Sequence, residues 1–541
     1  MQKLIMATLL ILLVISTSFA QQDEYTRKSI TFLDAVILAS SSSRDMSTRQ
    51  VDYTASGVKR MVQLERFDYN PIPSNSRLMS DFSYQVRKSS DLSMDALAGI
   101  LNKTFVAEIV KIMDENAENR ASMLVDETAR MSFVATKAKD LGITAENLEK
   151  VFNSGYIYLP FINGFSESTQ AEKVEDVMWY ESQVSISGGI LWFKIDYDDG
   201  HTSIRPLLER ATSSTGFAKK KNAKDAEWSA FTMAADNYAR NLEVATKDIE
   251  DFKLKTQVME VAGAHIGFNM GRKEGVHVDD RFLLGETMMD SDGQLSFKKD
   301  GFARVKSVGN NRDNPGAMSY GYGVIVGDWA PGMSLIEYPT LPLDIYGMLG
   351  LIPLSTDETG FDLSSQFALG VEMAYNLSQI VNSSHWYLTG GAALGNAQRD
   401  DGAETLYGGI TYADISVMKR FQWRRLDAYA KGGIAYMGLF LTDERYVEYN
   451  DRTYTYDSET YGAVLGGGVN LTLNIDWAVG LRYNYYLGES DTWTVKDDED
   501  TEYDDMTFNT NHTGGAIMFQ LIFSPKALGF DPLAALGNLS E

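Results

Sequence analysis

The sequence predicts an α+β multidomain protein in which a periplasmic α/β domain and a small β module precede an eight-stranded antiparallel transmembrane β-barrel. Three observations predict it. The last third of the chain breaks into runs in which large apolar side chains alternate with small or polar ones, the period-two signature of a strand with one oily face. The links between these runs alternate long and short, as in a membrane barrel with loops at one end and tight turns at the other. Residues 21–340 lack that pattern and mix helical spacing with irregular strands.

The 541-residue chain opens MQKLIMATLLILLVISTSFAQQ. Lys3 supplies a positive start, Leu4 to Ile15 an apolar run, and Ser18-Phe19-Ala20 a small-x-small cleavage signal, so residues 1–20 read as a secretory signal peptide. The apolar run is short for a membrane-anchor helix. No cysteine is present, which excludes a lipidated anchor, disulfides and thiol chemistry. No other run of about 18 apolar residues occurs, so no second transmembrane helix is expected.

Residues 21–255 read as the α/β domain. SITFLDAVIL (29–38) is a predicted strand, and RMVQLERFDYNPIPSNS (60–76) a strand running into a loop with two prolines. Residues 93–115 and 119–140 have helical spacing, with Leu97, Ile100, Leu101, Phe105, Ile109 and Ile112 on one face. GYIYLPFI (155–162) is a strand, residues 181–211 read as a hairpin turning at Asp199-Gly200, and a long helix covers about 223–250. Through VQLERFD (62–68), NLEKVFNSGYIYLPFI (147–162) and ISGGILWFKIDYDDG (186–200), this order resembles the CsgG-like domain of curli secretion and related periplasmic assembly proteins. CsgG is a lipoprotein that builds an oligomeric pore from its own hairpins. This chain lacks the lipidated cysteine and carries a separate barrel, so the resemblance implies an assembly domain rather than that pore.

Residues 256–340 form another unit. AHIGFNMGRKEGVHVDDRFLLGE, GFARVKSVGNN and GYGVIVGDWAPGMSLIEYP are short strands joined by Gly and Asp turns. They suggest a small SH3-like β module and resemble the C-terminal module of periplasmic flagellar-assembly proteins. Such modules bind proteins or pack on neighbours.

The barrel covers 341–524, with strand-like runs at 343–352, 366–377, 385–396, 405–421, 426–440, 461–474, 477–488 and 512–523. In WAVGLRYNYYL, Trp477, Val479, Leu481, Tyr483 and Tyr485 share one face, and Gly480, Arg482 and Asn484 the other. Phe367, Leu369, Val371, Met373, Tyr375 and Leu377 likewise oppose Glu372. The fourth run does not alternate cleanly, and its register stays open, with a bulge as one reading. A soluble lipocalin-like barrel would place the apolar face inside. The tiny residues of the other face would leave such a barrel hollow, with its aromatics in water, so the membrane reading is preferred. The region resembles the small OmpA-type outer-membrane barrels, whose narrow interior suits inward glycines. An even strand number puts both ends on the short-turn, periplasmic side. Trp386, Trp423, Trp477 and Phe523 fall near that side, as an aromatic girdle should. Residues 525–541 continue as a periplasmic tail.

Glu372, Lys431 and Arg482 all point inward near mid-strand, so they share a level and form a candidate lumen charge cluster, with Asp414 a further candidate. The loop residues Asp497, Asp498, Glu499, Asp500, Asp504 and Asp505 form a candidate divalent-cation loop, since such ions take oxygen ligands. The loop lacks the glycine and spacing of an EF-hand, and a solvated acidic loop is the preferred reading. In KRFQWRR (419–425) the basic side chains are expected to snorkel toward headgroups. A formal charge of −25 argues against nucleic acid as partner. His385 and His512 are expected at opposite ends of the barrel, and no G-x-S-x-G, H-E-x-x-H or Walker loop occurs. No catalytic residue and no cofactor is therefore assigned. The expectation is a non-enzymatic outer-membrane protein whose barrel, embedded in lipid, anchors a periplasmic domain that binds an envelope or secretion-assembly protein. The alternative is an outer-membrane transport channel or secretion-related pore.

Overall fold

The structure, a computed structural model, describes residues 28–33, 36–39, 42–72, 76–89, 91–108, 111, 135–140, 155–174, 177–198, 201–289, 295–356, 362–400, 405–443, 446–447, 450–451, 454–490, 494–497 and 510–526. The signal-peptide reading and the tail beyond 526 lie outside the described residues. The chain divides into two compact units, one built mainly from residues 25–254, the other mainly from residues 255–272 and 276–525. The small module and the barrel, expected as separate domains, thus share one unit.

In the first unit a six-stranded mixed sheet runs in the order Phe67–Ile72, Lys28–Leu33, Tyr156–Val174, Val177–Asp198, His201–Lys220, with Ile37–Leu38 added beside Tyr156–Val174. The first three strands are parallel and the last three antiparallel. Helices cover both faces. Arg77–Lys88 and Met94–Leu101 bury Leu78, Phe82 and Leu97 with Ile157, Leu159 and Phe193. Thr48–Val62 and Ala223–Lys247 bury Val58, Phe231 and Tyr238 with Phe32, Tyr158 and Trp192. The helix starts are locally encoded. Ser47 and Gln50 form a reciprocal capping box, and Ser76, Ser93 and Asn222 accept from backbone N–H groups one turn in.

Two sequence expectations change here. Arg60, Met61 and Val62 end the helix Thr48–Val62 rather than opening a strand, and the strand begins only at Phe67. The helix was hidden because its buried face includes Thr54 and Gly57 beside Val58 and Val62, which blurs the apolar period. The hairpin expected at Asp199-Gly200 is present as the pairing Asp198↔His201, while the two turn residues lie outside the described residues.

The second unit opens with a closed six-stranded barrel: Lys255–Ala262, His265–Phe268, Arg281–Met289, Leu295–Ser307, Ser319–Ile325 and Ser334–Glu337. The large barrel follows. Its eight strands are Leu343–Leu351, Asp362–Asn376, Trp386–Asp400, Thr405–Trp423, Leu426–Asp443, Tyr454–Thr472, Trp477–Leu487 and Gly514–Phe523. Each pairs antiparallel with its neighbour in sequence, and the first pairs with the eighth, so the sheet closes. Strand four is continuous in register with both neighbours, with no bulge. Its alternation is masked because Thr411 and Ala413 occupy outward positions while Tyr412 and Met418 are buried inward.

The apolar face is outside. Leu369, Leu481 and Ile517 are each about 60 % exposed, at 59 %, 62 % and 61 %. Near the short-turn end Trp477 lies against Phe523 with ring centroids 4.6 Å apart, and Trp423 is exposed. No described helix is long and apolar enough to cross a membrane, which has no bearing on a β-barrel.

Candidate functional site

Strand parity sends every second side chain into the lumen, and two of those positions belong to glycines that make room for charge. A Cβ on Gly391 would lie 2.8 Å from Glu372 Cβ, and one on Gly466 would lie 3.1 Å from Lys431 Cγ. In that space the structure brings Glu372, Lys431 and Arg482 together. The Arg482 guanidinium donates to both Glu372 oxygens, at 2.8 Å to Oε2 and as a second short contact to Oε1. Lys431 Nζ donates to Glu372 Oε2 at 2.7 Å and to Asp414 at 2.9 and 3.1 Å. Asp414 therefore joins the cluster. Arg482 also donates to Tyr429 Oη at 2.9 Å and lies 5.2 Å from the Tyr346 ring centroid. Two carboxylates meet two cations, so the layer is neutral as well as buried. A forked guanidinium–carboxylate pair with its remaining donors satisfied is what makes such burial tolerable.

A second charged layer lies at the short-turn mouth, and the sequence reading did not find it. Asp344 opens strand one. Arg420 of strand four approaches it at 2.8 Å and Arg281 of the small module at 3.3 Å. Arg281 also donates to Ile475 O at 2.7 Å and Ser524 Oγ at 2.9 Å. Arg304 of the module donates to Tyr387 Oη at 3.2 Å. Arg420 thus departs from expectation. It does not snorkel but is buried, stacked 4.0 Å from the Tyr387 ring centroid. A strand of fixed parity turns it inward, where Asp344 compensates it. Lys419, on the outward parity, lies 4.9 Å from the Trp386 ring centroid.

Beside this layer Asp279 of the module accepts from Ser378 Oγ at 2.7 Å, His385 N at 2.8 Å and Asn376 Nδ2 at 3.1 Å. The His385 ring meets the Tyr322 hydroxyl through Nε2. Burial lowers the His385 imidazole to about 4 despite the pull of Asp279, with Arg304, Arg420 and Lys419 adding to the effect. Burial alone would raise Asp279, but the His385 ring, Arg304 and the hydrogen bonds from Ser378 and the His385 N–H hold it below the usual carboxylate value. The pair is thus a carboxylate facing a neutral imidazole.

Asp497 ends a short strand, Thr494–Asp497, paired with Tyr454–Asp457. Asp498, Glu499, Asp500, Asp504 and Asp505 lie outside the described residues. Among the described residues no His, Asp or Glu cluster is arranged to hold a metal ion. His385 precedes strand three at the short-turn end and His512 precedes strand eight at the long-loop end, too far apart in the barrel to act together.

No family model matches the chain, and no curated protein does. Among solved structures, the outer membrane protein OprG from Pseudomonas aeruginosa is similar at 13% identity and a TM-score of 0.27, covering 34% of this chain and 96% of its own. A major outer membrane protein from Thermus thermophilus is similar at 11% identity and a TM-score of 0.23, covering 34% and 99%. The outer membrane protease OmpT from Escherichia coli gives 7% identity and a TM-score of 0.23, covering 50% and 96%. At these scores the fold rests on the strand pairing of the chain itself. The CsgG-like and SH3-like resemblances find no support in these comparisons.

Proposed function

We propose that this is a non-enzymatic outer-membrane protein whose closed barrel anchors a periplasmic protein-interaction portion serving an envelope or secretion assembly. The observation that carries it is the neutral Glu372–Arg482–Lys431–Asp414 layer, its side chains at most 8 % exposed, inside a barrel whose outer surface is apolar. An apolar exterior calls for lipid, and a side-chain-filled interior leaves no aqueous path. The even strand number supports placing both barrel ends, and hence residues 21–340, on the periplasmic side.

Planar-bilayer recording of the full-length protein tests the closed lumen. The wild type should show no steady ionic current, and a steady single-channel current would replace this reading with the channel alternative. The anchoring role is tested by capture from envelope extracts with the full-length protein, compared with a variant mutated on the sheet of residues 28–220. Identical captured sets would remove the interaction role.

A further inference from the structure

We propose that the six-stranded module is a resident stopper of the large barrel, seated across its short-turn mouth and closing the lumen there independently of the Glu372 layer. This rests on the closed-lumen reading and adds a second closure to it.

The contacts go around the mouth rather than to one edge. Arg281 reaches the start of strand one, the end of strand eight and the turn between strands six and seven, through Asp344, Ser524 and Ile475 O. Arg304 reaches the start of strand three through Tyr387. Asp279 caps the turn between strands two and three through Ser378 and the His385 N–H. Tyr338 donates to Asp476 at 2.9 Å.

Charge complementarity supports one partner for this mouth. Arg281 of the module meets Asp344 of the barrel at 3.3 Å, and both are buried, so without the barrel the Arg281 charge would lose its partner. An apolar peg adds to this. Ile475, from a barrel turn, is 5 % exposed and packs with Phe302, Tyr322 and Val324 of the module.

Backbone conformation points the same way. Asp279 (φ 69°) and His385 (φ 64°) are both left-handed, a costly choice for residues other than glycine. They meet each other across the junction, where the Asp279 carboxylate accepts from the His385 N–H.

The absence of native cysteine gives a clean test in the full-length protein. Ser524→Cys places a thiol under Arg281, and Arg425→Cys places one in the exposed turn between strands four and five. A seated stopper predicts maleimide labelling of Ser524→Cys at least 100-fold slower than of Arg425→Cys. Adding Arg281→Ala with Ile475→Asp should raise the Ser524→Cys rate at least tenfold while the barrel keeps its heat-modifiable mobility. Comparable rates at the two positions in the otherwise native protein would overturn the proposal, whatever the docking variants do.

Bilayer recording separates the two closures. Glu372→Ala with Arg482→Ala should stay silent while the module is seated, and should conduct once Arg281→Ala and Ile475→Asp are added to a folded barrel. A steady current from the lumen variant alone would overturn the stopper and leave the Glu372 layer as the sole closure. A steady current from the wild type would overturn the closed-lumen reading itself.

Discussion

Removing the negative charge of Glu372 should destabilise the barrel by roughly 3–5 kcal/mol, the usual cost of stripping one partner from a buried ion pair. In the native layer Glu372 and Asp414 balance Lys431 and Arg482. Glu372→Gln leaves a net charge of +1 in a space where Glu372 and Arg482 are almost wholly buried. The loss falls unevenly. Lys431 keeps Asp414 at 2.9 Å, whereas Arg482 keeps the neutral Tyr429 hydroxyl and Met348 sulfur. The glutamine amide oxygen can still accept one hydrogen bond, so the value should fall toward the lower end.

A double-mutant cycle makes the claim specific. Glu372→Met and Arg482→Met should each be strongly destabilising alone, yet the pair together should cost less than their sum, because replacing both partners leaves no buried unpaired charge. The assay is urea unfolding in lipid vesicles, followed by tryptophan fluorescence and heat-modifiable mobility. A Glu372→Gln loss below about 1 kcal/mol, or an additive cycle, would refute the idea that these residues act as one layer.

Leu481→Arg should cost roughly 2–4 kcal/mol in lipid, the midplane penalty for an outward charge, and tolerance of it would mean that the outer face does not meet hydrocarbon. Gly480→Ser should also destabilise, because its Cβ would lie 2.1 Å from Asn470 Oδ1 and 2.6 Å from Val469 O; an unchanged unfolding midpoint would contradict that packing. Protease added to whole cells should cut within residues 443–460 or 489–511 and spare Asp199-Gly200; cleavage near Gly200 in intact cells would reverse the orientation. His385, lowered to about 4 when folded and titrating near 6.5 when unfolded, contributes stability that is complete above about pH 6.5. That contribution, at most roughly 3 kcal/mol, is lost as pH falls toward 4, so the urea midpoint should drop over that window and His385→Gln should flatten the profile.

The barrel was legible because its strands are long and repeat one rule. The run predicted at 477–488 is observed as Trp477–Leu487, and that predicted at 426–440 as Leu426–Asp443. Strand four resisted because period-two reading needs contrast between faces, and Tyr412 and Met418 put bulk on the wrong one. The helix Thr48–Val62 resisted for a related reason. Its core-facing positions are partly Thr and Gly, whose burial is favoured by close packing rather than announced by hydropathy.

The two charged layers show what decides whether a buried site can be read from sequence. Glu372 and Arg482 are 110 positions apart, and Asp279 and His385 are 106 apart. Separation is therefore not the difference. Inside a closed barrel, strand parity gives each residue a face and position along the strand gives it a depth. Two opposite charges on the inner face at one depth must meet across a narrow lumen. A docking surface has no such coordinates. Arg281 and Arg304 sit on module strands where a charged side chain reads as solvent-facing, and nothing in those strands indicates that another part of the chain covers them. The local sign at the junction was weaker still: His385 directly before the girdle residue Trp386, and Asp279 opening the turn that leads into Arg281. Both sit in left-handed backbone, a conformation that sequence marks for glycine and leaves unmarked for aspartate and histidine.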